Sequence, residues 1–214
     1  MLVSAMPEFD TDPSPLSANR ISVAARLAAH WHAEQRRNHN HTPFVRHLSR
    51  VASRTMLHAD STEDMVCAAW LHDILEDQAG TPERETAICD AIASALGQPV
   101  LALVKDLTNP SLRTQHSRTS RALLDRDHLE SCGPEVKLIK LIDRIDNLEE
   151  TINDLRIAAA DNYRFSVLYA EESLLLAQAL RGTDRLLETE LVTTSLLLVE
   201  VCQSLWTSIK KPLA

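Results

Sequence analysis

The feature that most constrains the fold of this chain is a charged cluster inside an apolar segment. Residues 71–77 read Leu-His-Asp-Ile-Leu-Glu-Asp. In a continuous helix His72 and Glu76 lie one turn apart, as do Asp73 and Asp77, so the pattern predicts that all four share one sector. Burying these groups without partners would cost several kcal/mol each. The fold must therefore supply partners, and a divalent cation is a suitable one.

The rest of the chain has the composition and the periodicity of helices. Only 4 glycines occur in 214 residues, whereas turn-rich β architectures need glycine for positive φ. Apolar residues recur at helical spacing between start and stop signals. We predict an all-α fold with a flexible arm over residues 1–16 and a single domain over residues 17–214, including additional C-terminal helices. The predicted helices cover residues 17–37, 43–56, 62–78, 82–96, 99–107, part of 109–133, 135–160, 161–181 and 183–209.

Two of the predicted helix starts depend on capping residues. Ser17 is the predicted cap of the first helix, because its hydroxyl can accept a hydrogen bond from a free backbone N–H group. Thr42 followed by Pro43 predicts the second start, since proline is favoured in the first turn.

Charge and composition exclude several classes of protein. The net charge is −8 and the sequence pI is about 5.6, which argues against general nucleic-acid binding because such proteins need a basic surface. The 4 cysteines are widely spaced and indicate reduced thiols in the cytoplasm. No apolar run approaches the roughly 18 residues of a membrane span. We expect a cytoplasmic protein with no nucleic-acid or membrane partner.

Two further residues are candidates to complete a metal site with His72 and Asp73. His47 shares a helical face with apolar neighbours, so its ring is predicted to point inward. Asp143 belongs to a polar stripe, with Lys140 and Asn147, on an otherwise apolar helix. Two imidazoles and two carboxylates form a mixed N/O site that suits manganese, iron or zinc.

The order of these motifs resembles the HD superfamily of phosphohydrolases. It is most similar to the hydrolase domain of RelA/SpoT-type proteins and to small stand-alone alarmone hydrolases of the metazoan type. The resemblance covers roughly residues 20–190 and includes Glu76 and Asp77 one turn after the His-Asp pair. The matching stretches are residues 35–37, 42–47, 68–77, 103–108, 136–148, 169–171 and 180–188.

The resemblance implies an activity and a set of site residues. The activity is removal of pyrophosphate from the 3′ position of guanosine 3′,5′-bis(diphosphate), with one divalent ion as cofactor. The ion is expected to be Mn²⁺, with Fe²⁺, Co²⁺ or Zn²⁺ as alternatives. The implied metal ligands are His47, His72, Asp73 and Asp143, and Glu76 and Asp77 match the pair that positions or activates the attacking water. Arg37, Asn147 and Tyr169 match nucleotide-contacting positions.

Basic residues near these motifs have separate interpretations. Lys140, Lys137 or Arg144 is suited to hold the outer phosphate charge of a substrate. Arg113, Arg118 and Arg121 are expected to form a solvated helix face.

The sequence keeps the metal ligands of the family pattern but departs from it at positions expected to contact the nucleotide. The departures are Asn38, Leu48, Gln78, Asn109 and Glu149. Adenosine alarmones, NADPH or another nucleoside phosphate therefore stay open as substrates. A catalytically inactive helical binding module is the alternative from another class, and a homo-oligomer stays open.

Overall fold

The computed structural model describes residues 19–38, 40–113, 116–158 and 163–209. Over this part of the chain there are ten α-helices and one 3-10 helix, and the β-type pairing is limited to an isolated bridge between Arg36 and Pro43. The all-α prediction is confirmed, while the predicted arm and Ser17 lie outside the described residues. The helices are α1 (Arg20–Trp31), α2 (Val45–Met56), α3 (Glu63–Leu71), α4 (Ile74–Gln78), α5 (Pro82–Leu96), α6 (Gln98–Leu107), α7 (Arg118–Ser131), α8 (Pro134–Ala158), α9 (Tyr163–Ala179) and α10 (Arg185–Ile209), with the 3-10 helix at Pro110–Arg113.

Several helix ends follow directly from local sequence chemistry. The Thr62 and Thr81 hydroxyls cap α3 and α5 by accepting hydrogen bonds from Met65 and Arg84 backbone N–H groups. Gly97 ends α5 at a φ of 91°, a conformation that residues with a Cβ rarely adopt.

The segment between α1 and α2 differs from the prediction. Helix α1 ends at Trp31 and is capped by Asn19, and α2 begins only at Val45. Thr42 does not cap α2: the cap residue is Phe44, and the Thr42 hydroxyl and N–H both donate to Asn40 Oδ1, while its carbonyl accepts from Arg37. This tight loop places Arg37 beside the functional site described below.

The predicted continuous helix over residues 62–78 is wrong. Helix α3 ends at Leu71, and α4 begins at Ile74 after a break at His72 and Asp73. Asp73 has φ −98° and ψ −2°, in the bridge region between regular conformations. Adjacent residues of a regular helix point about 100° apart, so the break is what allows both side chains to face one point.

Helix α8 is the central element of the fold. It packs against α2, α3, α6, α9 and α10. One side of α8 is fully buried, through Ile139, Ile142, Ile145 and Leu148. The polar stripe of Lys140, Asp143 and Asn147 lines a cavity together with residues of α7 and α9. None of the described helices is long and apolar enough to span a bilayer.

Candidate metal centre and active site

Four side chains from three parts of the chain converge at one point. His47 comes from α2, His72 and Asp73 from the break between α3 and α4, and Asp143 from α8. The Nε2 atoms of the two histidines lie 3.2 Å apart. Asp73 Oδ2 lies 3.1 Å from His72 Nε2 and 3.5 Å from His47 Nε2. Asp143 Oδ1 lies 3.2 Å from His47 Nε2 and 3.4 Å from His72 Nε2.

These spacings and donor types fit one divalent cation. Two ligand atoms held at right angles by one ion at about 2.1–2.2 Å would be about 3.0–3.1 Å apart. The observed distances of 3.1–3.5 Å are close to this value. His47, His72 and Asp73 by themselves already form a group with metal-ligating geometry. Two imidazole nitrogens with carboxylate oxygens suit a borderline metal such as manganese, iron, cobalt or zinc.

Both histidine rings are held with Nε2 toward this point. The Nδ1 atom of His72 donates to the Ala69 carbonyl at 2.8 Å, and that of His47 lies 2.7 Å from Asp146 Oδ2. A hydrogen bond at one ring nitrogen leaves the lone pair of the other nitrogen available to a metal. Both side chains are fully buried, so their orientations are fixed by the fold.

The electrostatics of the cluster favour positive charge at its centre. Burial alone would lower the pKa of His47, but hydrogen bonds with Asp143, Asp146 and Asp73 outweigh it and hold the pKa well above its usual value. For His72 burial is outweighed by the charges of Asp73 and Asp143, which raise its pKa to about 9. Burial opposes ionisation of Asp143, yet His72 and His47 hold its pKa well below the usual range. A divalent cation supplies the positive charge that this arrangement favours.

Glu76 lies on the side of the centre that opens into a cavity of about 490 Å³. Its carboxylate accepts a hydrogen bond from the Asn109 backbone N–H at 2.7 Å and lies 3.7 Å from Lys140 Nζ. Burial raises the pKa of Glu76, Lys140 opposes the shift, and the charge of Asp73 adds to it. The buried Lys140 thus faces both the cavity and a carboxylate whose pKa is raised, which makes that carboxylate a stronger proton acceptor.

Asp77 points to a second cavity of about 330 Å³, on the other side of Asp73. Its Oδ2 accepts a hydrogen bond of 2.7 Å from Gln35, which Gln78 contacts in turn. Partial desolvation and the charge of Asp73 raise the pKa of Asp77, although its side chain is exposed at the rim. Glu76 and Asp77 therefore do not share one face as predicted, because they are adjacent in α4 and successive helical residues point about 100° apart.

The predicted nucleotide contacts lie around the two cavities. Arg37 donates to Asn147 Oδ1 at 2.7 Å, and Asn147 donates to Asp143 Oδ1 at 2.7 Å. Asn147 and Tyr169 line both cavities, while Arg37 lines the smaller one. Asn147 thus links Arg37 to Asp143, one of the four converging side chains.

The expected solvated position of Arg118 is wrong, whereas two of the three alternatives for holding phosphate charge, Lys140 and Arg144, line the larger cavity. Lys137 donates to the Glu130 carbonyl, away from the cavity. Arg118 is not simply solvated: it makes a two-point ion pair with Glu172 and lies over the Phe165 ring. The reason is that α7 lies across the larger cavity and turns this side chain inward. Arg144, in contrast, does line the larger cavity.

Sequence reasoning missed Asp146, Arg50 and Gln35. Asp146 accepts hydrogen bonds from both His47 and Arg50. The signal was available, because Asp146 follows Asp143, and Arg50 follows His47, at the same three-residue helical spacing. Gln35 gave no comparable signal, since it lies in an irregular turn after α1.

Comparison with known proteins gives one family and several similar hydrolases. Over 176 residues the chain is 30% identical to guanosine-3′,5′-bis(diphosphate) 3′-pyrophosphohydrolase MESH1 of Xenopus tropicalis, covering 80% of this chain and 90% of the relative. The Danio rerio protein of the same name is 28% identical, over 81% of this chain and 93% of the relative. A solved structure described as a metazoan ortholog of SpoT that hydrolyzes ppGpp and plays a role in starvation responses aligns with a TM-score of 0.64. That structure is 26% identical and covers 82% of this chain and 93% of its own.

The family comparison confirms the resemblance drawn from the motifs. An HD domain model matches residues 24–167, a range that contains all four converging side chains. Because this match spans more than half of the chain, the chain belongs to the HD domain family.

Proposed function

We propose that the protein is a metal-dependent hydrolase that removes pyrophosphate from the 3′ position of a guanosine 3′,5′-bis(diphosphate)-type alarmone. The observation that carries the proposal is the convergence of His47, His72, Asp73 and Asp143 within 3.1–3.5 Å of one another across the measured pairs. The relatives named as 3′-pyrophosphohydrolases support the substrate class, and the chain covers 90% and 93% of two of them.

The proposed cofactor is one Mn²⁺ ion held by the four converging side chains. When bound, a divalent cation neutralises phosphate charge and lowers the pKa of water. The chain's own residues supply the remaining functions. Glu76 is placed to take a proton from the attacking water, because its pKa is raised and it faces the larger cavity. Asp77, held by Gln35, orients the reactants from the other side.

Positive groups on the cavity wall are placed to hold the phosphates. Lys140 and Arg144 line the larger cavity beside Asp73 and Asp143. Arg144 also lies over the Tyr169 ring at 4.7 Å, which limits the positions of its guanidinium group. Cleavage of the bond between the ribose 3′ oxygen and the diphosphate releases pyrophosphate, and water supplies the oxygen and the protons of the two products.

A substrate panel tests the proposal. Metal-stripped protein is reloaded with Mn²⁺ and incubated with guanosine and adenosine alarmones, NADPH and nucleoside monophosphates, and pyrophosphate and orthophosphate are measured separately. We expect pyrophosphate from an alarmone and complete loss of release in Asp73→Ala. Orthophosphate from NADPH or a monophosphate would replace the proposed substrate with another nucleotide. No release from any substrate by metal-loaded protein would favour the inactive binding module.

A further inference from the structure

The converging side chains belong to a closed circuit of polar contacts that extends well beyond them. Each member touches the next, and the last returns to the first. In order, the circuit is His47, Asp146, Arg50, Glu150, Arg37, Asn147 and Asp143. The members come from α2, α8 and the loop between α1 and α2, so the circuit ties these elements together around the metal centre.

Asp146 makes three hydrogen bonds within this circuit. Its Oδ2 lies 2.7 Å from His47 Nδ1 and accepts a hydrogen bond of 2.8 Å from Arg50 Nη2. Its Oδ1 accepts a second hydrogen bond from Arg50, at 2.6 Å from Nε. Only 7% of the Asp146 side chain is exposed. The planar fork of Arg50 thus fixes both oxygens of a buried carboxylate.

This arrangement determines which ring nitrogen of His47 is free. A neutral imidazole carries one N–H group, and a carboxylate acceptor at Nδ1 holds the proton there. The lone pair on Nε2 is then directed toward Asp73, Asp143 and His72, which lie 3.2–3.5 Å from that atom. The carboxylate also makes the imidazole a stronger metal donor.

We propose that Asp146 is a positioning residue for the metal centre and that Arg50 holds Asp146 in place. The inference rests on the metal-binding part of the proposed function. Helix α2 carries the ligand His47 and, three residues later, Arg50, while α8 carries the ligand Asp143 and, three residues later, Asp146. Each helix supplies one ligand and one supporting residue, so the packing of α2 against α8 sets the ligand geometry.

A purely structural ion pair between α2 and α8 is the competing explanation, and the chain contains a matched control for it. Arg54 lies one turn after Arg50 on α2. It pairs with Glu149 of α8 at 3.6 Å and with Glu190 of α10. These ion pairs join helices but do not include a metal ligand. Removing Arg54 therefore removes ion pairs between helices, to the more exposed carboxylates Glu149 and Glu190, without removing a contact of His47.

Metal affinity separates the two explanations. The Mn²⁺ dissociation constant is measured on metal-stripped protein, from the electron paramagnetic resonance signal of free Mn²⁺, for the wild type and three variants. We expect affinity to fall roughly 10–100-fold in Asp146→Asn, to fall less in Arg50→Met, and to be unchanged in Arg54→Met. In NMR spectra of Zn²⁺-loaded protein, we expect the His47 Nδ1–H proton to resonate downfield, because it is hydrogen-bonded to a carboxylate, and to move upfield in Asp146→Asn.

Defined outcomes would overturn the proposal. A folded Asp146→Asn variant with wild-type Mn²⁺ affinity and an unchanged His47 spectrum would do so. If Asp146→Asn does not fold, the Arg50→Lys variant is the test. We expect its Mn²⁺ affinity to lie between the affinities of the wild type and Arg50→Met. Equal Mn²⁺ affinities for the wild type, Arg50→Lys and Arg50→Met would overturn the proposal. A wild-type protein that binds no Mn²⁺ would overturn the proposed function as well, which distinguishes that failure from loss of the positioning role alone.

Discussion

At the scale of single residues, the two carboxylates after the His-Asp pair have different environments. Glu76 is largely buried, faces Lys140 and accepts a hydrogen bond from the Asn109 backbone. Asp77 is exposed at the rim and is held by Gln35. A general base must lie within reach of the proton that it takes, and burial that raises the pKa of a carboxyl group makes it a stronger base. Glu76 is the more buried of the two and lines the larger cavity beside Lys140, so we assign proton transfer to Glu76 and orientation to Asp77.

Replacing the two carboxylates separately tests this assignment. We expect Glu76→Gln to lower kcat by roughly 10²–10⁴-fold, because the amide cannot accept the proton, and Asp77→Asn to lower it less. Mn²⁺ affinity is expected to stay close to wild type in both. Glu83→Gln, which alters a carboxylate in the first turn of α5, serves as the control for loss of one negative charge. A larger loss in Asp77→Asn than in Glu76→Gln would reverse the assignment.

Lys140 should determine the pH range in which Glu76 is active. The charge of Lys140 lowers the pKa of Glu76, while burial and the charges of Asp73 and Asp143 raise it. In Lys140→Met the lowering contribution is lost, so the pKa of Glu76 rises. Because the ionised carboxylate is the proton acceptor, the acidic limb of the kcat/KM profile should move to higher pH. A profile of kcat/KM against pH checks this, and an acidic limb that stays in place or moves to lower pH would contradict it.

At the scale of helices, the ends of α5 were predicted from the sequence, whereas the break between α3 and α4 was not. Helix α5 begins at Pro82 and ends before Gly97 as predicted, because a first-turn proline and a terminal glycine act locally. The break at His72 and Asp73 carries neither proline nor glycine. It forms because tertiary contacts with His47 and Asp143 direct both side chains to one point. The apolar periodicity of residues 62–78 carries no information about contacts with α2 and α8, so it could not predict the break.

The hydroxyl cap of α3 should contribute measurably to stability. Thr62 Oγ1 accepts a hydrogen bond from the Met65 backbone N–H, and loss of such a cap costs about 1 kcal/mol. We expect Thr62→Ala to lower the free energy of unfolding by about this amount, measured by urea denaturation. Thr193→Ala is the matched control, since the Thr193 hydroxyl bonds only to the Thr189 carbonyl within α10. We expect no loss there, because alanine has the higher helix propensity. Equal losses in both variants would contradict the capping role.

At the scale of the whole molecule, the candidate site is assembled from segments that are distant along the chain. The four predicted metal ligands converge, and their residue types and inward-facing positions could be predicted from the sequence. The residues that support the site from behind, which are Asp146, Arg50 and Gln35, were not predicted. Gln35 lies in an irregular turn and gave no signal. Helical spacing places Asp146 and Arg50 near Asp143 and His47, but the partner of a charged side chain is fixed only when the helices pack. The same reason explains why Arg118 was expected in solvent and is instead paired with Glu172.

Because the ligands come from α2, from the α3–α4 break and from α8, a bound ion should stabilise the whole fold. Ligand binding to the native state at 100 times its dissociation constant adds about 2.7 kcal/mol. For a chain of 214 residues, this corresponds to a rise in Tm of roughly 5–10 °C. Thermal unfolding followed by circular dichroism, with metal-stripped protein and increasing Mn²⁺, measures the rise. Asp143→Ala should fold but lose most of the response, since one ligand is gone while the aliphatic side of α8 stays packed. If wild type and Asp143→Ala gained equally in Tm, the ion would be binding elsewhere, and the convergence of the four side chains would need another explanation.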